Sequence, residues 1–215
     1  NVTAAATTGF ARTLLEQGRF DEAGTLADTT LEIWRAIEAP INSFALQKTY
    51  QLLADILVLR EDWEGASNLY AYLETALGDD PMAEERLLNQ NPSYALTLFR
   101  SNRVERARIV LEQAYTVKRQ ALGYQHPEVA ELGALLAVME NAEGEHQQSL
   151  LRFRETVPIL LSRAQRSRDD DTLGMVHEAR LALVLEQYIG LLADLHTEAP
   201  TSTLSQEYLS KAFEL

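Results

Sequence analysis

Not one cysteine occurs among the 215 residues, which excludes disulfides, thiolate nucleophiles and thiolate metal sites. The absence suits a reducing cytosol, the compartment favoured here, and equally a bacterial periplasm. Long apolar runs are missing too. No stretch approaches the roughly 18 residues of a membrane span, and the first residues lack the charged-then-apolar layout of a signal peptide. No glycine-rich phosphate loop occurs, because the ten glycines sit mostly singly, so neither nucleotide nor any other cofactor is expected. Positive charge is scarce: 19 basic side chains stand against 32 acidic ones, a net charge of -13. That field repels phosphate backbones and anionic lipid and favours basic partners, so nucleic acid and membrane are both set aside. What the chain holds in quantity is apolar side chains, 46% of the total, enough to exclude a disordered or fibrous chain. It begins at Asn1 without methionine and stops at Leu215 inside a helical pattern, and is read as a piece of a longer protein.

Laid against itself, the chain aligns five segments, each with a small residue twelve positions before a second one: Ala11 with Ala23, Ala54 with Ala66, Ala95 with Ala107, Ala137 with Ser149, and Ala193 with Ser205. Successive leading alanines are 43, 41, 42 and 56 residues apart, so four units keep one period and the fifth follows an insertion. A large apolar residue precedes each alanine (Phe10, Leu53, Tyr94, Leu136, Leu192), which predicts a buried helix stripe. Three residues after it come Leu14, Leu57 and Leu98, but Glu140 and His196 break the pattern in the last two units. Gly18 and Gly144 lie between the small residues, where a positive φ ends a helix. A second helix follows, its buried face carried by Phe20, Trp63 and Val104 and then by Tyr70, Leu111 and Phe153. No run alternates with period two long enough to predict a strand. Paired antiparallel helices approach closely only where small side chains leave room, and one such pair cannot bury its apolar face alone, so the units must stack. The expectation is an all-α chain of about five helix pairs forming one repeat domain over 1–215, with units near 3–40, 42–80, 83–123, 126–168 and 170–215.

These small, large and aromatic positions resemble the tetratricopeptide repeat, and the 42-residue period resembles the kinesin light chain variety. The junction Leu122-Gly123-Tyr124-Gln125-His126-Pro127-Glu128-Val129-Ala130 is similar to that variety's linker; Asp79-Asp80-Pro81 and Ala39-Pro40 are degenerate versions. The pattern departs at 158–187, where fourteen extra residues lengthen either the second helix of unit four or the first of unit five. The resemblance implies a right-handed α-α superhelix whose first helices line a concave, protein-binding face. Contacts carried over from it fall on Thr8, Arg12 and Leu15; on Lys48, Gln51, Asp55 and Val58; on Asn89, Pro92, Leu96 and Phe99, with Arg100 beside the last; on Glu131, Ala134, Val138 and Asn141; and on Gln187, Gly190 and Asp194. The strongest peptide-binding candidates are Arg12, Lys48, Gln51, Asp55, Leu96, Phe99, Arg100, Asn141 and Asp194, with packing between units as the competing role for Leu96, Val138 and Val58. The groove mixes signs and lacks a dense basic clamp for a terminal carboxylate. The implied partner is a protein or peptide, basic or amphipathic, and self-association through terminal helices is the further expectation. Residues 180–195 (RLALVLEQYIGLLADL) also resemble the segment preceding a caspase-like CHAT peptidase domain in bacterial multidomain proteins, which implies a regulatory arm whose catalytic domain lies beyond Leu215.

No intrinsic active site is expected. His126 precedes a proline in a linker, His146 replaces the aromatic that opens a second helix, His177-Glu178 lacks the second histidine of a zinc-binding HExxH helix, and His196 lies at a helix end. Glu84-Glu85 belongs to the acidic helix start Pro81-Met82-Ala83-Glu84-Glu85 rather than to a glycosidase pair. Asp169-Asp170-Asp171 lacks the alternating ligands and glycine of a calcium loop, so no metal is expected.

Overall fold

The small-residue pairs set where helices meet. The structure, a computed structural model, describes residues 2–77, 80–170, 174–198 and 210. Its helices are α1 (Val2–Glu16), α2 (Phe20–Ala36), α3 (Phe44–Leu59), α4 (Trp63–Leu77), α5 (Pro81–Glu84), a π-helical turn (Glu85–Asn89), α6 (Pro92–Arg100), α7 (Val104–Leu122), α8 (Pro127–Ala142), α9 (His146–Asp170) and α10 (Met175–Glu198). No strand occurs among the described residues, and the all-α repeat fold expected from the sequence is the fold observed. Ser205, Asp171 and the Ala199-Pro200 breaker lie outside the described residues.

Two compact units divide the chain: Asn1–Ala114 with Gly174–Val176, and Tyr115–Leu173 with His177–Leu215. In the first, α1 packs on α2 and α3 on α4; the second helix of each pair then packs on the next first helix (α2 on α3, α4 on α6), and first helices pack on one another (α1 on α3, α3 on α6). In the second unit α8 packs on α9. Ala11, Ala23, Ala54, Ala66, Ala95, Ala107, Ala137 and Ser149 are all buried, as close helix approach requires.

Each helix pair turns at one backbone position. Gly18, Glu61, Asn102 and Gly144 all have positive φ (74, 56, 59 and 82°), and each lies seven residues after its leading alanine. Glycine takes this left-handed conformation freely and asparagine tolerates it, whereas glutamate is strained there. Helix starts are as regular. Ser43, Asp80, Asn91 and His126 each accept a backbone N–H of the first turn, and the last three precede a proline at the first helical position, where no N–H is missed.

Three expectations are corrected. Ala193 is exposed; the buried line of α10 is Val176, Val184, Tyr188, Leu191, Leu192 and Leu195, because the insertion shifts the helix phase. Phe10 is 59% exposed: α3 and α6 each receive the second helix of the preceding pair, and α1 has no such neighbour among the described residues. The fourteen-residue excess belongs to both helices and not to one, since α9 runs 25 residues and α10 runs 24, against 16 for α8.

Candidate functional site

The first helices of the first unit form a row held edge to edge by side chains. The Thr8 and Thr49 hydroxyls are 2.8 Å apart, and Trp34 Nε1 donates to Thr49 at 3.0 Å, joining α1, α2 and α3. One turn on, Arg12 Nη2 lies 3.7 Å from Asp55 Oδ2, and Ser93 Oγ donates to Asp55 Oδ1 at 2.6 Å. Asp55 therefore receives a cation from α1 and a hydroxyl from α6. Gln51 donates to the backbone carbonyl of Arg86 at 3.1 Å, and Arg86 Nε donates to Gln47 at 3.1 Å, fastening α3 to the π-helical turn. Arg12 and Asp55, two of the residues singled out in the sequence, thus meet across neighbouring helices, while Gln51, one turn before Asp55 on α3, reaches the π-helical turn. Lys48, one turn before Gln51 on α3, is exposed and sits 5.2 Å from the Phe44 ring centre. Arg86 is also exposed, so the row carries two solvent-exposed cations beside one ion-paired carboxylate.

The other candidates separate from this row. Leu96 is 2% exposed and Val138 fully covered, which is the packing role rather than an accessible surface. Phe99 is half-buried on the last turn of α6. Arg100 lies 5.1 Å above the Trp63 ring and so faces the start of a second helix. Asn141 is 2.9 Å from His146 Nδ1 at the α8–α9 turn, and Asp194 is exposed on α10; both belong to the second unit. Asn89 and Pro92 do not share one helix, because the cap Asn91 separates the π-helical turn from α6.

The second unit holds a buried cluster that the sequence did not reveal. Glu131, 6% exposed, accepts from Arg180 Nη1 at 2.8 Å and lies 2.5 Å from His177 Nδ1. Burial opposes its charge, but the Arg180 guanidinium and the His177 ring prevail and hold the carboxyl down at about 2. The cluster borders a cavity of about 10 Å³ walled by Leu160, Arg163, Leu181 and Val184, room for about one water molecule. A second buried carboxylate, Glu140, is 1% exposed and accepts from Arg152 (2.7 and 3.0 Å) and Gln148 (2.8 Å). The signal was two carboxylates, Glu131 and Glu140, set in the apolar run of α8. Their partners, 46 and 49 residues away for Glu131, are not readable from spacing.

The histidines hold structural positions. His126 caps α8 through Nδ1, accepting from Glu128 N at 3.2 Å, His146 opens α9 beside Asn141, and His196 lies in the last turn of α10. Asp80 caps α5, and the amide of Ala83 with Asn42 and Met82 draws its carboxyl below the ordinary value. No group of three or more potential metal ligands occurs among the described residues, and no described helix is long and apolar enough to cross a membrane. An open cleft of about 270 Å³ lies between Gly18–Glu22 and Arg60, where Arg60 pairs with Asp21 at 2.6 Å and Arg19 with Glu22 at 2.5 Å.

Residues 3–38 and 95–128 match the sequence profile of the tetratricopeptide repeat. No curated protein matches the chain. Among solved structures, the nearly identical TPR-like repeats of a kinesin light chain-type protein from Podosopora anserina, and a substituted form of them, superpose with a TM-score of 0.62 each. At 18% identity they cover 97% of this chain and 92% of theirs. The chain therefore has the tetratricopeptide fold of the kinesin light chain kind, a fold that generally serves as a protein-interaction scaffold.

Proposed function

We propose that this tetratricopeptide-type chain binds a peptide segment of a partner protein along the row of first helices, with no chemical step of its own. The observation that carries the proposal is the coupling of α1, α3 and α6 through Arg12, Asp55 and Ser93, which fixes the row while leaving Lys48 and Arg86 open beside it. A surface preorganised in this way loses little side-chain entropy on binding. Arg12, Lys48, Gln51 and Asp55 are the proposed contacts, with Phe99 as an apolar neighbour. Leu96, Arg100 and Asn141 are assigned to packing and to the turns. An extended segment carrying both signs and an apolar anchor suits the mixed charge of the row.

The test is selection of peptide binders on the immobilised chain, followed by titration of the selected peptides against variants. Lys48→Ala or Arg12→Ala should weaken them about fivefold or more, while Asp28→Ala on the exposed side of α2 should leave affinity unchanged. Peptides indifferent to both inner variants would place the binding surface elsewhere. The reading of the chain as the regulatory arm of a CHAT protease rests on the resemblance over 180–195 alone, and a coding sequence without a peptidase domain would end it.

A further inference from the structure

Among the described residues, the core of the first unit contains one side chain from far along the chain. Val176, 8% exposed, sits in the cluster built by Leu14 and Leu15 of α1, Ala27 of α2, and Leu52 and Ile56 of α3. Every other residue of that cluster lies within the first 56. Two residues earlier, Gly174 lies against the end of the exposed Glu16 side chain: a Cβ there would come 2.1 Å from Glu16 Oε2, so the carboxylate would have to swing aside. The first unit claims only Gly174–Val176 of this region; from His177 onward the chain belongs to the second unit.

From these positions the geometry points to an apolar cleft, between the carboxy-terminal ends of α1 and α3, that is a docking site for a short segment with a small aliphatic anchor, and Gly174–Val176 is its internal occupant. Three features support this. Among the described residues the first unit takes only three from this region, Gly174 and the first two residues of α10. Its described anchor is a single valine, whose burial biases the docked state only about ten- to a hundredfold. The cleft also includes Leu15, three residues beyond Arg12 on the same helix, so the inference extends the proposed binding row and rests on that reading. A segment of similar chemistry, with a glycine two places before a valine or isoleucine and no acidic side chain to meet Glu16, would compete with the internal one. The tether holds its own segment at an effective concentration in the millimolar range, so a competitor in solution meets a largely filled site.

The test uses the full chain, isotopically labelled for NMR, and a synthetic peptide of residues 174–181, Gly-Met-Val-His-Glu-Ala-Arg-Leu, with a Val176→Asp version as control. Val176→Asp places a charge in the cleft, and Gly174→Asp sets a second carboxylate against Glu16; either should release the internal segment. Both variants should bind the peptide saturably, with shifts confined to the ends of α1 and α3, and at least tenfold more tightly than the wild type; the control peptide should not bind. Loosening throughout α1–α3 in both variants, read by hydrogen exchange, would make Val176 ordinary core and overturn the inference. So would variants that bind the peptide no better than the wild type. If that happens while selected peptides still depend on Arg12 and Lys48, the internal occupant fails and the binding row survives.

Discussion

Glu131 gives the sharpest test of the second unit. Its carboxyl is held at about 2 against roughly 4.3 in an unfolded chain. At about 1.4 kcal/mol per pH unit, the ionised form stabilises the fold by about 3 kcal/mol at neutral pH, in line with the roughly 3–5 kcal/mol lost when one partner of a buried pair is removed. A depressed carboxylate contributes fully above its unfolded value and loses its contribution as pH falls through the folded one. The window is therefore from about 4.5 down to about 2. Glu131→Gln should destabilise by about 3 kcal/mol at pH 7, with Arg180 left facing a neutral amide, and the difference from wild type should shrink across that window. Urea unfolding at pH 7, 5, 4 and 3 measures it. Both tryptophans, Trp34 and Trp63, lie in the first unit. The variant should therefore lower the midpoint seen by far-UV circular dichroism more than the one seen by tryptophan fluorescence. A difference that stays constant from pH 7 to 3, or that falls below 1 kcal/mol at pH 7, would refute the assignment of Glu131 as a charged clasp.

Two further perturbations follow from the repeat geometry. Glu61→Gly relieves a left-handed residue and should raise stability by about 0.5–1 kcal/mol, whereas Gly144→Ala should lower it by about 1 kcal/mol; thermal unfolding decides both. Ala54→Leu and Ala95→Leu should each cost about 1–3 kcal/mol by overpacking. Ala193→Leu, on an exposed site, should stay within about 0.5 kcal/mol in the same assay.

The parts legible in the sequence are those governed by short-range sterics. Ala11, Ala54, Ala95 and Ala137 were readable because only a small side chain lets two helices touch, and a period near 42 repeats that demand. Gly18 and Gly144 betrayed the turn, yet Glu61 and Asn102 occupy the same conformation without a glycine, so the rule shows itself only once the four turns are aligned. Ala193 misled because its register was counted through an insertion that lengthens two helices and alters their phase. The π-helical turn was hidden as well: Leu87 and Leu88 continue an apolar pattern, and nothing in their spacing announces that Asn91 and Pro92 restart the helix. In the candidate site, Arg12, Gln51 and Asp55 were carried over from the family resemblance onto the first-helix stripe. Leu96 follows the same stripe but turns inward, because an apolar side chain gains more from burial than from solvent.

The fourth unit shows why charge enters a core that alanine and leucine could have filled. From Val129 to Glu140 every residue of α8 is buried, and a helix that is apolar on all sides has no preferred face. Packing alone would let it rotate between α9 and α10. Glu131 and Glu140 are nine residues apart, two and a half turns at 3.6 residues each, so they project from opposite sides. One meets Arg180 and His177 of α10; the other meets Arg152 and Gln148 of α9. Rotating α8 by half a turn would point each carboxylate away from its cations and leave two unpaired buried charges, far costlier than any change in apolar contact. The two clasps thus select one rotation of α8 by penalising the others, which is what a helix without an apolar face of its own requires.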